Sequence, residues 1–231
     1  MYLFLFILLG LALRLANIDK LEGLWNDEYV SWFIASTPFF KGFWQEVLKQ
    51  CHMPLYYLYL KPFAEFDDII LRLTSVLPSL LSIPVMFSVG NFFSKKNGYI
   101  CAGITTILPF LIYYSQEVRF YSLLFFFSAL VLYFALKIIY KDKGWVGFII
   151  SSILVLFTHV LGGIYIGLST CYLLYKKKKF FLEMFLLGFC LALLILPFGL
   201  NIIKKYLIRN GGEILHIQIF YFYLAIIYHQ Y

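Results

Sequence analysis

Two short stretches of the chain place acidic side chains beside hydrogen-bonding neighbours. The first is WNDEY at residues 25–29, where Asp27 and Glu28 are adjacent, and the second is YSQEVRFY at residues 114–121, which contains Glu117. A carboxylate held at a membrane surface can act as a general base, so these three acids are candidate catalytic residues. Each stretch also has a structural interpretation, because acids complement the dipole at a helix start and a Glu–Arg pair fits a turn.

Basic and aromatic side chains of the same stretches and their neighbours are candidates for binding a substrate. Arginine matches phosphate geometry, so Arg72 and Arg119 are candidate donor-phosphate ligands, and His52 and Tyr121 are candidate substrate-binding residues. Two of them have a structural alternative: Arg72 would extend to the membrane interface, and His52, two residues before Pro54, would begin a helix. No spacing of His, Cys, Asp or Glu predicts a metal site, so no cofactor is assigned and a divalent metal stays an open alternative.

The composition identifies the kind of protein that must position these residues. Of the 231 residues, 62% are apolar and 13% are charged, whereas a soluble domain is about 45–50% apolar and about 25% charged. A soluble chain of this size has too large a surface, relative to its volume, to bury so many apolar side chains. The sequence therefore predicts an integral membrane protein, and it excludes a disordered or nucleic-acid-binding chain.

The apolar runs predict an all-α polytopic membrane bundle of about seven transmembrane helices. Arg14, near the end of the first run, is expected to extend to the outer interface. Pro109 and three other prolines are expected to kink their helices. The predicted spans are Tyr2–Ile18, Ile69–Phe93, Gly98–Ser115, Phe120–Tyr140, Gly144–His159, Leu161–Tyr175 and Phe180–Ile203.

The longest connection, residues 19–68, carries the first acidic stretch and is predicted to contain short helices at the membrane surface. One begins at Asn26, a second is an amphipathic helix over residues 39–50, and residues 54–66 are too short and too broken to span. The bundle is thus predicted to be covered on one face by juxtamembrane helices.

The positions of the lysines predict on which side of the membrane the juxtamembrane helices lie. Alternate connectors carry nine lysines against Asp142 and Glu183, so one side of the membrane has a net charge of +7 and the other side none. Because Lys and Arg accumulate on the cytoplasmic side, the N-terminus is predicted to be cytoplasmic, and the loop over residues 19–68 to lie outside. The candidate residues would then share the outer face of a multi-pass cell-membrane protein.

Taken in order, four motifs resemble the membrane-embedded GT-C glycosyltransferases, and among them the bacterial relatives of the dolichyl-phosphate-mannose protein mannosyltransferases (PMT-like). The motifs are WNDEY, HMPLYY, the Arg that opens IILRLTSVLPSL, and YYSQEVRFYSLL. The resemblance implies that residues 1–203 form the seven-helix module of that class, with residues 19–68 as its outer loop. Members of the class continue with further helices, so residues 204–231 are expected to begin an outer loop or helix that the chain does not complete.

The resemblance also implies a reaction. The chain would transfer a sugar from a polyprenyl-phosphate donor to a hydroxyl of a glycan, lipid or protein acceptor, with inversion at the anomeric carbon. Asp27 matches the catalytic acid of the first outer loop, Glu28 its neighbour, and Glu117 the acid of the second outer loop. The partners implied are the donor, the acceptor and membrane lipid. The alternatives that the residues leave open are an inactive fragment of such an enzyme, and a lipid-binding scaffold or transporter.

Overall fold

The computed structural model describes residues 2–19, 23–50, 53–180, 186–193 and the single positions 182, 196 and 200. Within these residues the regular elements are helices and turns, with no strand. His52, residues 204–231 and half of the predicted span Phe180–Ile203 lie outside the described part of the chain. The α-helices are α1 Tyr2–Leu15, α2 Asn26–Ser36, α3 Trp44–Lys49, α4 Leu55–Leu60, α5 Asp68–Asn91, α6 Lys95–Ile107, α7 Pro109–Ser115, α8 Tyr121–Lys141, α9 Trp145–Thr158 and α10 Gly162–Lys176.

Two of the described helices, α5 and α8, are long and apolar enough to cross a membrane, and the bent pair α6–α7 makes a third if it is counted as one span. The helix α5 has 24 residues, a length of about 36 Å, against about 30 Å of bilayer hydrocarbon. The prediction of an all-helical chain is therefore confirmed for the described residues, and two or three of its helices have the length and composition that a membrane span requires. The number of seven spans and the GT-C arrangement stay predictions.

A proline breaks the predicted span over residues 98–115. Helices α6 and α7 meet at Leu108 with a bend of 53°, because Pro109 has no N–H to give the carbonyl of Thr105. The Arg14 guanidinium donates to the carbonyls of Thr105 (3.0 Å) and Thr106 (3.1 Å) and to Ser79 Oγ (2.8 Å). The prediction that Arg14 extends to the interface is wrong: its side chain is fully buried and supplies the donors that the break requires.

The predicted amphipathic helix over residues 39–50 is also interrupted. Lys41 and Gly42 leave the helical region, Gly42 with φ 142°, a conformation that favours glycine, and a regular helix begins only at Trp44. The buried side chains of this segment are Phe43 and Val47, whereas Phe40 is 94% exposed. The apolar stripe is therefore split into a turn and a short helix.

The core has two parts, and the second positions the candidate residues. One apolar cluster joins α8, α9 and α10 along their length. The other joins α2, α4, the start of α5 and residues 118–123, where α8 begins. The first turns of α5 and α8 and the juxtamembrane helices therefore meet at one end of the bundle.

Candidate functional site

The Glu28 carboxylate lies inside the protein, paired with Arg72. Glu28 Oε2 is 3.0 Å from Arg72 Nη2 and Oε1 is 3.2 Å from Arg72 Nε, a two-point contact between side chains that are 1% and 2% exposed. The backbone N–H groups of Val118 (2.9 Å) and Trp25 (3.3 Å) complete four donors to this carboxylate. Glu28 therefore ties α2 to α5 and to the loop over residues 116–120.

Arg72 also joins the chain between α1 and α2 to the bundle. Its guanidinium donates to the carbonyls of Ile18 (3.1 Å) and Gly23 (2.9 Å) as well as to Glu28. Since Arg72 is buried, the alternative in which it extends to the interface is wrong. Its donors point at protein oxygens, an arrangement typical of a structural ion pair, and the geometry gives its predicted role as a phosphate ligand no support.

Asp27 faces another direction and pairs with the second arginine. Asp27 Oδ2 is 3.1 Å from Arg119 Nη1; the Asp27 side chain is 49% exposed and that of Arg119 only 12%. The Nε of Arg119 is buried and has no hydrogen-bond partner among the described residues. A buried donor needs a hydrogen-bond partner, and the described residues do not supply one, so a water, an ion or a ligand is the remaining source.

Aromatic side chains surround this second pair. The Arg119 guanidinium lies 5.5 Å from the ring centres of both Phe120 and Tyr121, and His159 stacks on Phe120 with 4.5 Å between centroids. Burial and the charge of Arg119 lower the pKa of His159. Burial raises the pKa of Tyr57, which also senses the charges of Arg119 and Asp27. The pair thus sits in an aromatic environment that stabilises the guanidinium through cation–π contacts.

Glu117 lies on the turn between α7 and α8, buried to 8% exposure, and its carbonyl accepts from Arg119 N–H at 2.8 Å. Its carboxylate hydrogen-bonds to the hydroxyl of Tyr113. A Glu117–Arg119 ion pair, the structural interpretation of this turn, is replaced by the pair between Arg119 and Asp27.

The structure therefore gathers six of the seven predicted residues at one end of the bundle: Asp27, Glu28, Arg72, Glu117, Arg119 and Tyr121. It adds Tyr57 and His159, which the sequence reasoning did not assign. Tyr57 belongs to the HMPLYY motif, which offered a signal, whereas His159 lies outside all four motifs. Within the described residues no three His, Cys, Asp or Glu side chains converge on a common point, so no metal centre is assigned there.

Comparisons with family models, curated proteins and solved structures found no match to this chain. The resemblance to membrane glycosyltransferases consequently depends on the sequence motifs alone.

Proposed function

We propose that the chain is a membrane glycosyltransferase that moves a sugar from a polyprenyl-phosphate donor to an acceptor hydroxyl, with Asp27 as general base. The observation that carries the proposal is the Asp27–Arg119 pair, in which the carboxylate is half exposed and the guanidinium retains an unpaired buried donor. Among the described candidate acids, Glu28 is occupied by four donors and Glu117 is buried. Asp27 is the acid that a substrate can reach.

In this reaction the acceptor oxygen attacks the anomeric carbon as its proton passes to the Asp27 carboxylate. The bond between the anomeric carbon and the phosphate oxygen breaks, and its electron pair leaves with the polyprenyl phosphate. This leaving group is a stable anion near neutral pH, so a single carboxylate is sufficient, unlike the pair that glycosidases require. Arg119 would bind the phosphate and stabilise the charge that develops on it.

The orientation belongs to the same proposal. The lysines at the ends of α8 and α10, at the opposite end of α8 from Asp27, support a cytoplasmic location for that end. The Asp27–Arg119 site would then face outwards, and a polytopic bundle of about seven spans would hold it at the outer surface. Donor and acceptor would meet there.

The alternative candidate is a protein that binds a lipid phosphate without transferring its sugar. It is favoured by the ion pair itself, because a carboxylate held by Arg119 is not a free base. The two functions differ in whether the sugar leaves the donor.

The test is transfer of a radiolabelled hexose from a polyprenyl-phosphate hexose by the purified chain in lipid nanodiscs, with donor binding measured in parallel. We expect Asp27→Asn to lower turnover by about 10² to 10⁴ while donor binding persists. Asp142→Asn is the matched control, since Asp142 forms an exposed ion pair with Lys177 at the other end of α8. Near-native turnover in Asp27→Asn would refute the assignment of the base, and binding without any transfer by the unmutated chain would favour the alternative.

A further inference from the structure

An apolar cavity of about 330 Å³ lies between α9, α10 and the helical residues 186–193. Four small residues form much of its two facing walls: Gly163 and Gly167 on α10, and Gly188 and Ala192 opposite. The volume reaches the lower end of the range for small-molecule sites. Protein interiors contain few voids of this size, because unfilled space forfeits dispersion contacts.

The cavity is open along one side and has little to offer water. Gly167, Gly188 and Ala192 are exposed, so the opening faces whatever surrounds the bundle. Among the described residues, no atom lies within 4 Å of a Cβ added at Gly167 or Gly188, so a larger side chain has room at both walls. Apolar cavities stay dry and bind apolar molecules. In a membrane protein the molecule available at a lateral opening is a lipid chain.

The cavity also lies beside the candidate site. Its lining residues Leu156 and Gly163 flank the turn between α9 and α10 that carries His159, each about 5 Å away along its helix. His159 stacks on Phe120, the neighbour of Arg119. A phosphate bound at Arg119 would therefore place the first carbons of its chain at the mouth of the cavity.

We infer that this cavity holds the first isoprene units of a polyprenyl phosphate. The inference rests on the proposed function and adds to it a binding place for the hydrocarbon chain of the donor. The glycines of α10 and the small residues opposite repeat every four positions, about 6 Å along each helix. A polyprenyl chain carries one methyl branch for every four chain carbons, a repeat of similar length, and its branches fit where side chains are missing. A straight acyl chain has no branches to place there.

The experiment is photo-cross-linking of the full chain in nanodiscs. The probe is a polyprenyl phosphate with a diazirine in the isoprene units nearest the phosphate, and the comparison probe is phosphatidylglycerol with a diazirine in its acyl chain. We expect polyprenyl adducts to map to α10 and residues 186–193. Gly167→Leu and Gly188→Leu fill the cavity from opposite walls and should each lower that yield about tenfold.

Leu168→Phe is the matched control, because it adds bulk to α10 at an exposed position that does not line the cavity. Its yield should equal that of the unmutated chain. Adducts that map elsewhere, equal labelling by the acyl probe, or undiminished labelling of both leucine variants would each overturn the inference. Cross-linking does not require turnover, so it tests the cavity separately from the reaction. Adducts in the cavity without sugar transfer would count against the proposed function alone. Sugar transfer with adducts elsewhere would count against the cavity as the site of the polyprenyl chain alone.

Discussion

The buried pair between Glu28 and Arg72 gives the sharpest test of how this end of the bundle is held together. Glu28→Gln keeps the shape of the side chain but only one of its two oxygens, so either the N–H of Val118, which donates to Oε1, or that of Trp25, which donates to Oε2, loses its acceptor. It removes the negative charge and leaves the Arg72 guanidinium, 2% exposed, without a counter-ion. Arg72→Gln has the converse effect, because it leaves a carboxylate that is 1% exposed without its cation.

The expected loss is large because neither charge can reach water. Removing one partner of a buried pair costs about 3–5 kcal/mol, which corresponds to a fall in Tm of about 6–20 °C for a chain of this length. The double variant Glu28→Gln/Arg72→Gln removes both charges and should lose less than the sum of the single losses, with a coupling of about 0.5–3 kcal/mol. Glu46→Gln is the control, since Glu46 pairs with an exposed Lys49 and such surface pairs contribute about 0–1 kcal/mol.

The assay is thermal unfolding of purified protein in detergent, followed by tryptophan fluorescence. If Glu28→Gln melts within about 4 °C of the unmutated chain, as the surface control should, the buried charge pair does not exist as described and the reasoning fails. A Glu28→Gln chain that is fully stable but cannot transfer sugar would return Glu28 to the list of candidate bases. Additive single losses would show that Glu28 and Arg72 are not coupled.

Three further predictions concern other parts of the bundle. Arg14→Met should lower Tm more than Arg14→Lys does, because methionine donates no hydrogen bond to the buried acceptors of Ser79, Thr105 and Thr106. Each acceptor left without a donor costs about 1–3 kcal/mol. An unchanged Tm for Arg14→Met would contradict this prediction. Gly90→Ala should destabilise the protein by about 1–3 kcal/mol, because its Cβ would lie 2.5 Å from the Asn97 carbonyl oxygen. Gly167→Ala is the control, since its Cβ would enter open space and should not destabilise the protein. Equal Tm values for the two variants would refute the close approach of α5 and α6. The pKa of His159 is lowered in the folded protein, so the unfolded chain binds a proton at a higher pH than the folded chain does. Stability should therefore fall as the pH drops through the ordinary histidine pKa of about 6.5. The variant His159→Gln should flatten that part of a curve of Tm against pH.

The helical class and the membrane-spanning segments follow from composition and run length, and the bend at Pro109 follows from proline chemistry. The burial of the two arginines does not. Arg14 was expected at the interface, and Arg72 had the interface as its structural alternative, because single charges in apolar helices usually extend to it. Their acceptors come from remote parts of the chain: Glu28 is 44 positions from Arg72, and Thr105 is 91 positions from Arg14. No local pattern specifies such pairings.

The different surroundings of Asp27 and Glu28 were equally hidden in the sequence. Successive residues on an α-helix point about 100° apart, so two adjacent acids on α2 must face different surroundings. Hydropathy alone does not identify the buried face, because α2 buries Glu28 and Ser31 together with Ile34 and Ala35, while Tyr29 and Phe33 are exposed. In a protein surrounded by lipid, apolar side chains do not mark the interior. The distinction between a structural and an accessible acid therefore required the structure.

The Asp27–Arg119 pair suggests an order of binding for the proposed reaction. A guanidinium 3.1 Å from the Asp27 carboxylate competes with an acceptor hydroxyl for hydrogen bonds to the same oxygens. A phosphate presents more charge than a carboxylate and can take two parallel hydrogen bonds from arginine, including one from the unpaired Nε. Donor binding would thus draw Arg119 towards the phosphate and release Asp27 as a base only when a sugar is in place. Such coupling would keep the base inactive towards acceptor hydroxyls in the absence of donor, and it makes donor-first binding the order that the geometry favours.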